Sequence, residues 1–253
     1  MIFTRRLTEI SSEFHAKVDA VNALNEFFPI MYDQFENNLK SEFKNNLELE
    51  GSNYDLLDLI GMISSQRLES MHKGEDEFAG FKNPTLVKKL LPLGIYKLHL
   101  SKSPKFLKEM SHVFLTSTFY SSLVDIIKAF FIENHELLVN SVADVSFDEI
   151  ESQSYESSLD FTSMGISSTA KKLKESFELD LSSERDWIQF YEIFERRNSY
   201  VHNNGIPTSK YVASFGGDTN SRLEITREYL KDTINLLKKY QHKIEQHFYN
   251  HLT

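Results

Sequence analysis

The sequence predicts an all-α protein, and three observations carry that prediction. Only 9 Gly and 5 Pro occur in 253 residues, too few for the turns of an all-β fold. Long stretches run without a breaker. Apolar residues within them recur at the three- and four-residue spacing of amphipathic helices, with 40% of the chain hydrophobic. A chain of this length buries a substantial core as one large domain or two small ones.

Leu7, Ile10, Phe14, Val18, Val21, Leu24 and Phe28 mark a first helix that Pro29 interrupts, and a second is predicted over residues 30–48. A third begins near Asn53 and fades by Met71, ahead of a charged loop from His72 to Lys82. Asn83-Pro84 reads as an N-cap with proline in the first turn. Residues 1–100 therefore form a helical extension or subdomain. Ser103-Pro104 repeats the start signal and opens what is predicted as the longest helix, residues 105–139. Residues 141–168 carry six acids, many serines and no Lys or Arg, which predicts a solvated acidic loop or insertion. Helix returns over residues 169–177. Ser183 and Asp186 resemble a capping box, and Trp187, Phe190, Tyr191, Phe194 and Val201 form an apolar stripe over residues 184–202. Asn203-Asn204-Gly205 ends that helix, because Asn and Gly tolerate the left-handed cap conformation. A loop with Pro207 and Gly216-Gly217 follows, and a last helix is predicted from about Ser221 to near the end. Residues 101–253 thus supply enough helices to close a bundle.

Composition excludes several chemistries. There is no cysteine, so disulfides, thiolate nucleophiles and Cys-based zinc sites are ruled out, and a cytoplasmic setting is expected. The N-terminus lacks the apolar core and cleavage site of a secretion signal, and Asp125 and Lys128 interrupt the most apolar segment, so no membrane association is expected. No Gly-rich phosphate loop, HExxH or Gly-x-Ser-x-Gly occurs. Of His242, His247 and His251, only the last pair has chelating spacing, at a frayed end without a carboxylate motif. No metal and no cofactor is expected. The formal charge is −9, against wholesale wrapping by nucleic acid. Its distribution is uneven: residues 161–253 hold 13 basic against 12 acidic side chains, leaving 15 against 25 for residues 1–160. An anion is best handled in the last third.

Arg197, Asn198 and His202 are the candidate chemical groups there. On an ideal helix Arg197 and His202 lie about 140° apart, whereas Asn198 and His202 share a face. At a fraying last turn the long Arg side chain can swing toward that face and surround one phosphate with a permanent cation, an amide and an imidazole. Guanidinium makes paired charged hydrogen bonds to phosphate oxygens, imidazole exchanges a proton near neutrality, and Asn198 can hold a hydroxyl or orient the ring. The plain alternative is that two basic residues complement the dipole of a helix C-terminus, for about 0.3 to 1 kcal/mol. Arg196, Lys210 and Tyr211 are candidates for contacting substrate. Their ordinary readings are an Arg paired with an acid, a surface lysine and a packed aromatic.

The stretch Glu195-Arg196-Arg197-Asn198-Ser199-Tyr200-Val201-His202-Asn203-Asn204-Gly205, followed by Tyr211, resembles the motif of the HEPN superfamily, an Arg followed by a polar residue and, a few positions on, a His near the end of a bundle helix. The resemblance extends over about residues 104–253, and only the motif is sharp. It implies a HEPN-like bundle acting as a metal-independent endoribonuclease. In that chemistry a ribose 2′-hydroxyl attacks the adjacent phosphate and leaves a 2′,3′-cyclic phosphate end. By the same resemblance, Arg197 stabilises the phosphorane, His202 is the acid or base and Asn198 supports them, in a homodimer whose two motifs face one cleft. The 20 Phe suit core and dimer packing. A toxin or effector role in defence or stress is implied, with residues 1–100 regulatory or partner-binding and an antitoxin or regulatory protein as partner. Some family members lack cleavage and serve as RNA-binding or assembly modules, which is the alternative here.

Overall fold

The computed structural model describes residues 2–49, 54–99, 103–135, 146–162 and 165–250, which hold nine α-helices and no strand. They are α1 (Ile2–Asn46), α2 (Leu56–His72), α3 (Pro84–His99), α4 (Ser103–Glu133), α5 (Phe147–Thr162), α6 (Ile166–Phe177), α7 (Trp187–Asn203), α8 (Ser209–Phe215) and α9 (Arg227–Asn250). The all-α prediction holds.

Contacts divide the chain into two units, residues 24–107 and a larger unit of residues 1–23 with 108–253. The predicted boundary near residue 100 is close at one end, but the first 23 residues join the C-terminal unit. The reason is packing. Phe3, Leu7, Phe14, Val18 and Val21 are buried in the larger unit's core, Phe14 meets the edge of Phe119 at 6.4 Å, and Asp19 pairs with Lys238 at 2.6 Å. In the smaller unit, Leu39 and Phe43 of α1 pack with Leu59 and Ile63 of α2 and with Val87 and Leu91 of α3.

Several elements differ from expectation. Pro29 does not break α1, which runs 45 residues and is the longest helix instead of α4; the helix carries the proline at the cost of one backbone bond, with Val21 and Leu39 as the nearest buried apolar residues on either side. Residues 136–145 and 163–164 lie outside the described residues, so the predicted end of α4 at 139 and part of the acidic segment do too. The rest of that segment is helix and not loop. Ser146 and Glu149 form a reciprocal cap, with the Ser146 amide donating to Glu149 Oε2 at 2.9 Å and the Glu149 amide to Ser146 Oγ at 3.3 Å. Ser154, Ser158 and Phe161 form the buried face of α5, and Glu151 pairs with Lys128 at 2.8 Å. Apolar Leu115, Phe119, Leu123 and Ile126 are buried along α4. By length and composition α4 is apolar enough to cross a membrane, and over half of that stretch is buried inside the fold. α8 lies where a loop was expected, and α9 begins at Arg227 and not near Ser221.

Candidate functional site

The site is organised by α7. Its buried face carries Phe190, Ile193 and Phe194. Phe190 stacks on Tyr240 of α9 with centroids 3.7 Å apart, and Phe194 meets Tyr120 of α4 edge-on at 5.0 Å. The helix start departs from the predicted capping box: Asp186 is the N-cap residue but makes no capping bond, because its carboxylate is taken by Lys239 at 2.7 Å and by the Tyr240 hydroxyl at 3.1 Å. The predicted stop is where expected. Asn204 adopts φ 51° and Gly205 φ 79°, and the Gly205 amide reaches back to the Ser199 carbonyl at 2.9 Å, as a left-handed cap requires. Gly205 is also sterically needed, since a Cβ there would lie 2.8 Å from the Tyr200 ring and 2.9 Å from Arg222 Nε. Val201, expected in the apolar stripe, is 45% exposed because the stripe outruns the core at this end.

Of the three candidate catalytic residues, two are joined. Arg197 Nη1 donates to Asn198 Oδ1 at 3.1 Å, while Arg197 Nε is buried with no hydrogen-bond partner. Arg197 thus reaches toward its neighbour Asn198 on the helix surface. His202 is exposed and makes no hydrogen bond or ion pair among the described residues, so no bond links it to the Arg197–Asn198 pair.

Arg196 and Tyr211, predicted to contact substrate, are turned inward. Arg196 Nε pairs with Glu192 at 2.6 Å, Nη1 donates to the Glu224 carbonyl at 2.9 Å, and the guanidinium lies 4.1 Å from the Tyr229 ring centroid. Tyr211 is 3% exposed and gives its hydroxyl to Glu192 Oε1, while Tyr229 gives its own to Oε2 at 2.7 Å. Burial raises the pKa of both phenols, and the bonded Glu192 carboxylate raises them further; both remain donors to Glu192. Lys210 remains exposed at the start of α8.

The sequence pattern did not mark His112. It is fully buried on α4, with Nε2 bonded to the Ile193 carbonyl at 3.1 Å and Nδ1 without a partner. Burial first, then the cations of Arg196 and Arg197, push its pKa down to about 3 against the opposing bond to Ile193. It is a neutral ring donating from Nε2 to the turn of α7 that leads into Arg197. On the same helix, Glu109 accepts from Arg222 at 2.6 Å, and Arg222 lies 5.7 Å from the Tyr200 ring centroid. Nothing in the spacing marked these residues, because their partners lie 81 and 113 positions away. Glu192 was detectable as the partner of Arg196 at i,i+4.

Among the described residues no group of three or more His, Asp or Glu side chains is placed to hold a metal ion. His247, considered for a metal, bonds the Phe177 carbonyl at 2.7 Å, and His251 lies outside the described residues. No family model matches the chain, no curated protein matches it, and no solved structure matches it. The HEPN resemblance therefore stands on the motif itself.

Proposed function

We propose that the chain is a metal-independent endoribonuclease of the HEPN type, working as a homodimer in a defence or stress response. The observation that carries this reading is the Arg197–Asn198 pair at 3.1 Å, next to the exposed His202 at a helix end. A guanidinium held by one nitrogen to an amide keeps other N–H groups for phosphate oxygens. The imidazole on the Asn198 face supplies or removes a proton as the 2′-hydroxyl attacks and the 5′-oxygen leaves. His202 makes no hydrogen bond to that pair, and in this reading the motif of a second protomer completes the cleft. Met110 and Phe114 on α4, both close to half exposed, suit such a seam. Arg196 acts as a structural cation in this reading, and Lys210 is the basic residue left to meet the RNA backbone.

The same exposed, unpartnered His202 favours a second reading, a non-catalytic module of the same fold that binds RNA or assembles with a regulatory protein. Incubating purified protein with RNA in EDTA separates the two. The enzyme reading expects undiminished cleavage with 2′,3′-cyclic phosphate ends. Activity lost on chelation and restored by a divalent metal contradicts the mechanism, and RNA bound but uncut in both conditions selects the module.

A further inference from the structure

We infer that the groove between α7, α8 and α9 is a binding site for a small organic cation, an ammonium or guanidinium group carried on an apolar stem. The groove has a volume of about 650 Å³, within the range of roughly 300–1,000 Å³ typical of small-molecule sites. Arg197, Asn198 and His202 do not line it, so the inference is independent of the nuclease reading.

Three features select the ligand. The first is aromatic: Tyr211, Phe215 and Tyr229 line the groove, and the negative face of an aromatic ring attracts a cation. Arg196 already lies over the Tyr229 ring at 4.1 Å and Tyr211 is buried, so the half-buried ring of Phe215 is the one left for a ligand cation. The second is charge. Glu192 and Asp232 face one lining cation, Arg196, which leaves the groove net negative and unsuited to a phosphate or carboxylate.

The third feature is a surplus of acceptors. Tyr211 and Tyr229 direct their O–H groups to Glu192, and the Tyr211 oxygen also accepts from Arg196 Nε at 3.3 Å, so the Tyr229 oxygen offers a ligand lone pairs and no donor. Thr233 is 1% exposed, lines the groove, and its Oγ1 is buried without a hydrogen-bond partner. An unmet hydroxyl of this kind costs free energy until a hydrogen-bond partner reaches it. A ligand N–H is one such partner, with the hydroxyl oxygen accepting, while Ile188 and Leu236 cover a hydrocarbon stem. A purely apolar ligand would leave the hydroxyl unmet.

The test titrates the full chain calorimetrically with 1-butylguanidinium and with its neutral isostere 1-butylurea. The expected result is one saturable site for the guanidinium, with the urea at least about tenfold weaker. Asp232→Asn, at an exposed position that leaves the melting temperature unchanged, should weaken guanidinium binding at least about threefold. Leu236→Trp, which fills the groove, should abolish it in protein that still melts cooperatively. No saturation up to about 20 mM, equal binding of the urea, or unweakened binding by Asp232→Asn overturns the inference, and so does binding that survives Leu236→Trp.

Discussion

At the scale of single residues, neighbours on α7 have opposite roles. Arg196 is held by Glu192, the Glu224 carbonyl and the face of Tyr229, whereas Arg197 has only the amide oxygen of Asn198. Arg197→Ala should therefore abolish cleavage and weaken RNA binding while shifting the melting temperature little, since it removes a phosphate contact. Arg196→Ala should instead destabilise the fold by roughly 3 to 5 kcal/mol, because it leaves a partly buried Glu192 without its cation. Denaturant melts of the two variants would distinguish them, and equal loss of stability would contradict the assignment. His112 adds a pH dependence. Its folded pKa of about 3 lies below the ordinary 6.5, so the unfolded chain binds the proton more readily. The ring's contribution is fully present above about pH 6.5 and is lost as pH falls toward 3. His112→Phe should flatten the stability profile across that window in denaturant titrations; an unchanged slope would assign the acid sensitivity to other groups.

At the scale of elements, the stop of α7 depends on backbone conformation. Gly205→Ala forces a side chain into φ 79° and against Tyr200 and Arg222, and should cost on the order of 1 to 3 kcal/mol. Phe194→Ala removes a core aromatic touching Phe119, Tyr120 and Phe190 and should cost about 3 to 5 kcal/mol. Its cleavage should fall only in step with unfolding, as parallel melting and activity curves would reveal. Local signals made much of this readable beforehand: the Asn83 cap, which accepts from the Leu86 amide at 3.1 Å, the Asn-Asn-Gly stop and the core face of α7 are short-range features. What the sequence did not disclose was set by competition or distance. Asp186 abandons capping for Lys239 and Tyr240, 53 and 54 residues away. Pro29 lies inside α1, where it removes one backbone bond without ending the helix. The Ser146/Glu149 cap was legible but masked by an acidic composition that suggested a loop. His112 gave no signal, because burial that selects its neutral form comes from α7 and α9, including the ring of Tyr229 5.5 Å away.

At the scale of the molecule, the larger unit draws on both ends of the chain, so a fragment beginning near residue 101 would lack Phe14 and Val18 from its core. It should fold poorly even though it contains the whole motif, and circular dichroism melts against the full chain would measure this. The proposed dimer is expected to bury the α4 face. Met110→Glu combined with Phe114→Glu should give a monomer in sedimentation, with a retained melting temperature and little cleavage; a fully active monomer would contradict a composite cleft. Everything proposed about activity depends on whether the helix end carrying Arg197, Asn198 and His202 cuts RNA. The decisive comparison sets the full chain beside His202→Ala in EDTA, measuring cleavage, the chemistry of the new 3′ ends, and the melting temperature of each protein. The expected result is cyclic phosphate ends from the parent, no cleavage by the variant, and matching melts. Cleavage by His202→Ala at the parent's rate would contradict the proposed role of the motif.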